Sequence, residues 1–142
     1  MDSGRTELNA NGKVSRLLTT GSEAGTDTLI GSATGTVYVL GGGGNDTITT
    51  GSGSDVIVGD EGTLSFDVNG ALASVVSRSS DTAGADVVDA GAGNNLVIGG
   101  SGTDRTTVGI GSSLLLGGDG TVTVSPSGRV VSGLTAGGAV EG

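Results

Sequence analysis

The sequence predicts an all-β solenoid, a single unit over residues 1–142 built as a stack of about seven short coils. Three observations lead there. The first is a nine-residue pattern in tandem: Gly41-Gly-Gly-Gly-Asn-Asp-Thr-Ile-Thr49 is followed by Thr50-Gly-Ser-Gly-Ser-Asp-Val-Ile-Val58. Gly stands at positions two and four, Asp at six and Ile at eight of both copies. The second is a longer period of 58, under which residues 41–59 fall on 99–117 with seven Gly or Asp positions shared. A fixed period of this length marks a repeat architecture, in which each unit buries its apolar face only against its neighbours. The third is composition. Of 142 residues 31 are Gly, and Tyr38 and Phe66 are the two aromatic side chains. Burial then has to come from thin layers of small aliphatic residues, because large rings are missing. A hydrophobic share of 34% argues against a solvated, disordered chain.

The period divides as 18 + 18 + 22, which gives coils at 1–22, 23–40, 41–58, 59–80, 81–98, 99–116 and 117–138. They group into repeat units 1–58, 59–116 and a partial 117–142. Each 18-residue coil is two nonapeptides, hence two loops and two short strands. The 22-residue coil differs. Residues 59–80 read as a loop, a strand around Leu64 and Phe66, an Asn69-Gly70 turn, and a strand around Leu72, Val75 and Val76. Asn-Gly between alternating runs is a strong tight-turn signal. Residues 1–22 and 117–138 follow the same plan, and Asp2-Ser-Gly4 aligns with Asp60-Glu-Gly62. Within 23–40 the register slips by one residue.

Within the nonapeptide each position has a physical role. Gly at two and four opens backbone angles closed to residues with a Cβ. The aliphatic residue at eight points inward, giving a core ladder of Leu29, Tyr38, Ile48, Ile57, Val88, Val97, Thr106 and Leu115. Loops one full coil apart share an edge. One edge carries Asp27, Asp46, Asp60, Asp86, Asp104 and Asp119; the other carries Thr36, Asp55, Asn95 and Ser113. Carboxylates and inward-aimed carbonyls are the ligands that a hard cation such as calcium takes, six to eight at a time. Candidate metal ligands are therefore Asp27, Asp46, Asp55, Asp60, Asp86, Asp104 and Asp119. The best sites would join the loops of Asp46 and Asp60, of Asp86 and Asp104, and of Asp27 and Asp46. Asp and Asn in Gly-rich turns also cap backbone, a competing role for each of them. Glu23, Glu61, Asp67, Asp81 and Asp89 read as solvated surface.

Composition excludes several functions. A net charge of −9, from fifteen acids and six bases, repels nucleic acid and anionic membranes. No run reaches the roughly 18 apolar residues of a membrane helix. With no Cys and no His there is no disulfide, thiol chemistry or His-based triad. The carboxylates are spread along the repeats, not paired in a cleft, so the chain is expected not to be an enzyme. Met1-Asp-Ser-Gly is not a signal peptide; if the protein is exported, its signal lies elsewhere or the chain is a fragment.

The nonapeptides at 23–58 and 81–116 resemble RTX repeats, the hemolysin-type calcium-binding family. The resemblance implies a parallel β-roll, calcium as the bound ion and an extracellular or cell-surface bacterial setting. The Gly-Asp, strand, Asn-Gly, strand segment resembles those of very large bacterial surface repeat proteins. Folding would be coupled to calcium. The expected function is a calcium-binding structural module, such as a stalk, surface-layer, matrix or fibre unit, with itself as a partner through end-to-end or lateral stacking. Alternative functions are an ice-binding solenoid, for which Thr47, Thr49, Thr50, Thr106 and Thr107 are the candidates, or an adhesin module that binds a ligand.

Overall fold

The computed structural model describes residues 3–20, 24–79, 81–82 and 84–135. Glu23, Asp2 and the end of the third unit lie outside them. The chain is all-β. Its strands are β1 (Ser3–Leu8), β2 (Val14–Thr20), β3 (Thr28–Ile30), β4 (Tyr38–Leu40), β5 (Thr47–Thr49), β6 (Val56–Val58) and β7 (Gly62–Phe66). They continue as β8 (Leu72–Ser77), β9 (Val87–Asp89), β10 (Leu96–Ile98), β11 (Arg105–Thr107), β12 (Leu114–Leu116), β13 (Gly120–Val124) and β14 (Val130–Thr135).

Three sheets result. The 18-residue segments each give one strand to a parallel outer sheet, β3-β5-β9-β11, and one to a parallel middle sheet, β4-β6-β10-β12. The 22-residue segments do something else. They are antiparallel hairpins, β1-β2, β7-β8 and β13-β14, and they join edge to edge in a six-stranded sheet. The expected seven coils are therefore corrected to four coils and three hairpins among the described residues. The hairpin β7-β8 leaves the stack without interrupting it: Thr47 of β5 pairs directly with Val87 of β9, and Val56 of β6 with Leu96 of β10.

The period of 58 explains how the sheets stay in step. Two coils advance the stack by two strand spacings, about 9.6 Å, and the two strands of one hairpin advance their own sheet by the same amount. One repeat thus adds two strands to every sheet, and the hairpins meet side by side through Leu17↔Leu64 and Val75↔Val122.

The layers follow from strand composition. Outer-sheet strands alternate, as in Thr47-Ile48-Thr49, with Ile48 buried and both threonines exposed. Middle-sheet strands are apolar throughout: Val56-Ile57-Val58, Leu96-Val97-Ile98 and Leu114-Leu115-Leu116. Unbroken apolar runs belong to strands covered on both faces. Ile57 and Val97 pack against Ile48 and Val88 of the outer sheet, inside the roll. Val56, Val58, Leu96, Ile98 and Leu116 face the other way, onto Leu64, Val75 and Val122 of the hairpins. Leu17 and Val75, one member each of the apolar pairs Leu17-Leu18 and Val75-Val76, take part in this interface.

Two register corrections follow in the first coil. Val39, and not Tyr38, pairs with Ile57 and enters the ladder; Val39 is 8% exposed and Tyr38 39%. Tyr38 instead meets Phe66 edge-on at 5.1 Å. Likewise Val37, and not Thr36, stands opposite Asp55. The slip of one residue noted in the sequence lies here.

The hairpin turns also depart from a two-residue loop. Asp67 N–H donates to Ala71 O and Gly70 N–H to Asp67 O, with Gly70 at φ 86° and a register shift after Ser65. This is a wider turn closed by a bulge whose glycine is left-handed. Gly12 and Gly128 repeat it at φ 74° and 78°.

Candidate metal centre

The loops between middle and outer sheets begin at Gly41, Gly59 and Gly99. Their N–H groups donate to Val58 O, Ile98 O and Leu116 O of the next coil, so the loops stack. Gly42, Gly44, Gly100 and Gly102 adopt φ between 107° and 123°, angles that only glycine takes at low cost. These are positions two and four of the nonapeptide.

Asp at position six then falls into a column. Asp27 N–H donates to Asp46 Oδ1 at 2.8 Å, Asp46 N–H to Asp86 Oδ1 at 2.8 Å, and Asp86 N–H to Asp104 Oδ1 at 3.0 Å. One oxygen of each carboxylate therefore caps the backbone of the adjacent coil. The capping role is real, but it acts between coils and not within the residue's own turn.

The second oxygens have a different environment. Asp86 Oδ2 and Asp104 Oδ2 are buried and have no hydrogen-bond donor. A Cβ placed on Gly59 would fall onto Asp86 Oδ2 and Gly99 O together. At Gly99 it would meet Asp104 Oδ2 at 2.7 Å and Gly117 O at 2.9 Å. At Gly41 it would meet Gly59 O and, at 3.0 Å, Asp46 Oδ2. Each loop thus gathers a carboxylate oxygen and a carbonyl oxygen over a bare glycine. Two lone-pair oxygens brought together out of water repel unless a proton or a cation lies between them. A hard divalent ion with oxygen ligands fits this donor set. Among the described residues no group of three acidic side chains is gathered as a metal cluster, so backbone carbonyls would have to complete the coordination.

Asp60 and Asp119 stand beside this column and not in it. Gly59, next to Asp60, gives its carbonyl to the Asp46 cradle, but the Asp60 carboxylate turns to the two following coils. It accepts from Ser101 N–H at 2.6 Å and Gly84 N–H at 3.4 Å. Asp119 accepts from Ser77 Oγ at 3.0 Å and Ser101 Oγ at 2.5 Å. Burial, with Asp86 and Asp104 close by, raises the Asp60 carboxyl to about 7. Burial raises Asp86 to about 6, with Asp104 and Asp46 adding to it, and raises Asp104 as well.

The opposite edge carries a second polar column. Val37 N–H donates to Asp55 Oδ1 at 2.9 Å, Asp55 N–H to Asn95 Oδ1 at 3.0 Å, and Asn95 N–H to Ser113 Oγ at 3.2 Å. On this edge Asn95 and Ser113 supply two of the three acceptors and Asp55 the third.

Of the acids read as surface, Asp81 and Asp89 are exposed. Glu61 is not: it is buried, and its Oε1 has no donor. The isolated Gly-Asp-Glu-Gly string could not reveal this burial. Asp67 caps its own turn through the N–H groups of Asn69 and Ala71, and these hold its carboxyl below the usual range.

The site and fold define an all-β repeat protein with stacked carboxylate loops. The family model of the RTX calcium-binding nonapeptide repeat matches residues 38–63 and 80–106 in four copies. These segments are RTX repeats, and repeats of this family bind calcium ions. No curated protein and no solved structure matches the chain.

Proposed function

We propose that this chain is a non-catalytic, calcium-binding structural module of a secreted or cell-surface protein, whose folding is coupled to the ion. Four coils form a parallel β-roll, and the hairpin sheet covers one of its faces, over repeat units 1–58, 59–116 and 117–142. The observation that carries the reading is the cradle repeated at Gly41, Gly59 and Gly99, where a carboxylate oxygen meets a carbonyl oxygen. Asp46, Asp86 and Asp104 are the main ligands in this reading. Asp27, Asp60 and Asp119 contribute at the stack end and the hairpin roots, and Asp55 at the second edge. A cation there would offset the repulsion of buried carboxylates, so binding free energy becomes folding free energy. That coupling suits a chain that stays loose where calcium is scarce and folds outside the cell. Open edges at β3, β4, β11 and β12 are compatible with self-stacking.

An ice-binding or adhesin role has weaker support. The exposed columns of the outer sheet run Thr28-Thr47-Val87-Arg105 and Ile30-Thr49-Asp89-Thr107, which breaks any regular threonine array. Thr50 is buried.

The test is a calcium titration followed by far-ultraviolet circular dichroism, with reversal by chelator. A rise from a marginally folded state with weak β signal to the full β signal, in the micromolar to millimolar range, is expected. A full β signal that persists in excess chelator would overturn the coupling.

A further inference from the structure

At position six, two adjacent loops of the second edge carry side chains that differ in one terminal atom. Asn95 and Asp55 occupy equivalent positions in adjacent coils, since Leu96 pairs with Val56 and each residue uses Oδ1 to accept a backbone N–H. The other terminal atom tells them apart. Asn95 Nδ2 donates to Ala90 O at 3.0 Å and to Gly91 O at 3.3 Å, closing its own loop. The amide orientation is fixed by its partners, because the Asp55 N–H can only donate and the two carbonyls can only accept. In the preceding coil the corresponding carbonyls are Thr50 O and Gly51 O, and both come close over the Cα of Gly91. The corresponding side-chain atom is Asp55 Oδ2. It belongs to a residue 1% exposed and has no hydrogen-bond donor. Where Asn95 offers two protons to two carbonyls, the equivalent atom of Asp55 is an acceptor with no proton to offer.

We propose that Asn95 stands in for a bound cation. Its amide does in the third coil what a calcium ion does at Asp55 in the second, so this edge takes one ion where a run of aspartates would take several. Ser113 continues the metal-free closure in the fourth coil. The choice between Asp and Asn at position six thereby sets how many ions the roll needs, coil by coil. This inference rests on the calcium reading of the carboxylate loops.

Two substitutions in the full chain test it at neutral pH: Asn95→Asp and Asp55→Asn. Bound calcium is counted by equilibrium dialysis, and thermal unfolding is followed in chelator and in calcium. Asn95→Asp is expected to bind one more ion per chain. Its Tm in chelator should fall by roughly 5 °C, and calcium should restore it. Asp55→Asn is expected to bind one ion fewer and to lose no stability in chelator. An unchanged ion count for Asp55→Asn would overturn the inference, even if Asn95→Asp failed to fold. A loss in Asn95→Asp that calcium does not restore would also overturn it, because the amide would then be an ordinary hydrogen-bonding group. Absence of calcium uptake by the unmodified chain would overturn the calcium reading itself, and the same dialysis distinguishes the two failures.

Discussion

At the scale of single residues, the carboxylates divide their two oxygens between two tasks. Oδ1 caps the neighbouring coil, while Oδ2 in Asp86 and Asp104 is buried without a donor. The sequence pointed to Asp104 through the local Gly-x-Gly-x-Asp spacing, and to Asp86 through a looser copy that keeps only the Gly-x-Asp part. It did not reveal that Asp60 turns toward Ser101, or that Glu61 is buried, because both depend on where a hairpin root lands against coils 20 to 40 residues later. A pH dependence follows from the same burial. Asp60 and Asp86 have folded pKa values of about 7 and about 6, above the ordinary 3.8. A raised carboxyl binds its proton more tightly in the folded state, so its favourable contribution is full below the unfolded value and is lost as pH rises through the folded one. In chelator, Tm is therefore expected to rise on acidification from pH 8 to pH 5, opposite to ordinary acid denaturation. Calcium favours the ionised form, so in saturating calcium the dependence should flatten, and affinity should increase from pH 6 to pH 7.5. Thermal melts across pH with and without calcium check this. A chelated protein that is most stable at pH 8 would show that these carboxyls are not buried as described.

At the scale of elements, strand composition separates the layers. The Asn-Gly turns and the 18 + 18 + 22 division were legible, and each 22-residue segment does contain the two strands read from it. Their assignment as coils failed because pattern alone cannot say whether a strand pair closes a coil or folds on itself. The triplets Val56-Ile57-Val58 and Leu96-Val97-Ile98 held the missing information: nothing within a two-sheet roll would cover both of their faces. A mutational contrast tests this. Ile98 is fully buried between the middle sheet and the hairpins, and Ile98→Ala is expected to cost about 2–5 kcal/mol. Thr49 faces solvent from the outer sheet, and Thr49→Ala should stay within about 0.5 kcal/mol of the parent. Chemical denaturation in saturating calcium measures both. Similar small effects at the two positions would mean that the hairpin face is not a packed interface.

At the scale of the whole molecule, the hairpins are covers inserted into a continuous stack. Gly41 and Gly59 are equivalent, as are Gly44 and Gly84, since a Cβ on either of the latter would fall onto its counterpart in the preceding coil. Two residues lie between Gly41 and Gly44, and 24 between Gly59 and Gly84, so the insertion is 24 − 2 = 22 residues. Excising 22 residues between Gly59 and Gly84 would therefore leave a loop of ordinary length. The pairs Thr47↔Val87 and Val56↔Leu96 need nothing from the hairpin, so the roll should still form in calcium. What changes is the middle sheet. Val56, Val58, Leu96 and Ile98 lose Leu64 and Val75, and an apolar patch opens on the broad face of the roll. Exposed patches of this kind drive association. The excised chain is expected to keep a calcium-dependent β spectrum while binding a hydrophobic dye that the parent does not bind, and to associate at lower concentration than the parent. Dye fluorescence and sedimentation read this directly. A monomeric, dye-silent product would mean that the hairpins do not shield the roll. A product without calcium-dependent structure would mean that the hairpin instead nucleates the coils on either side of it.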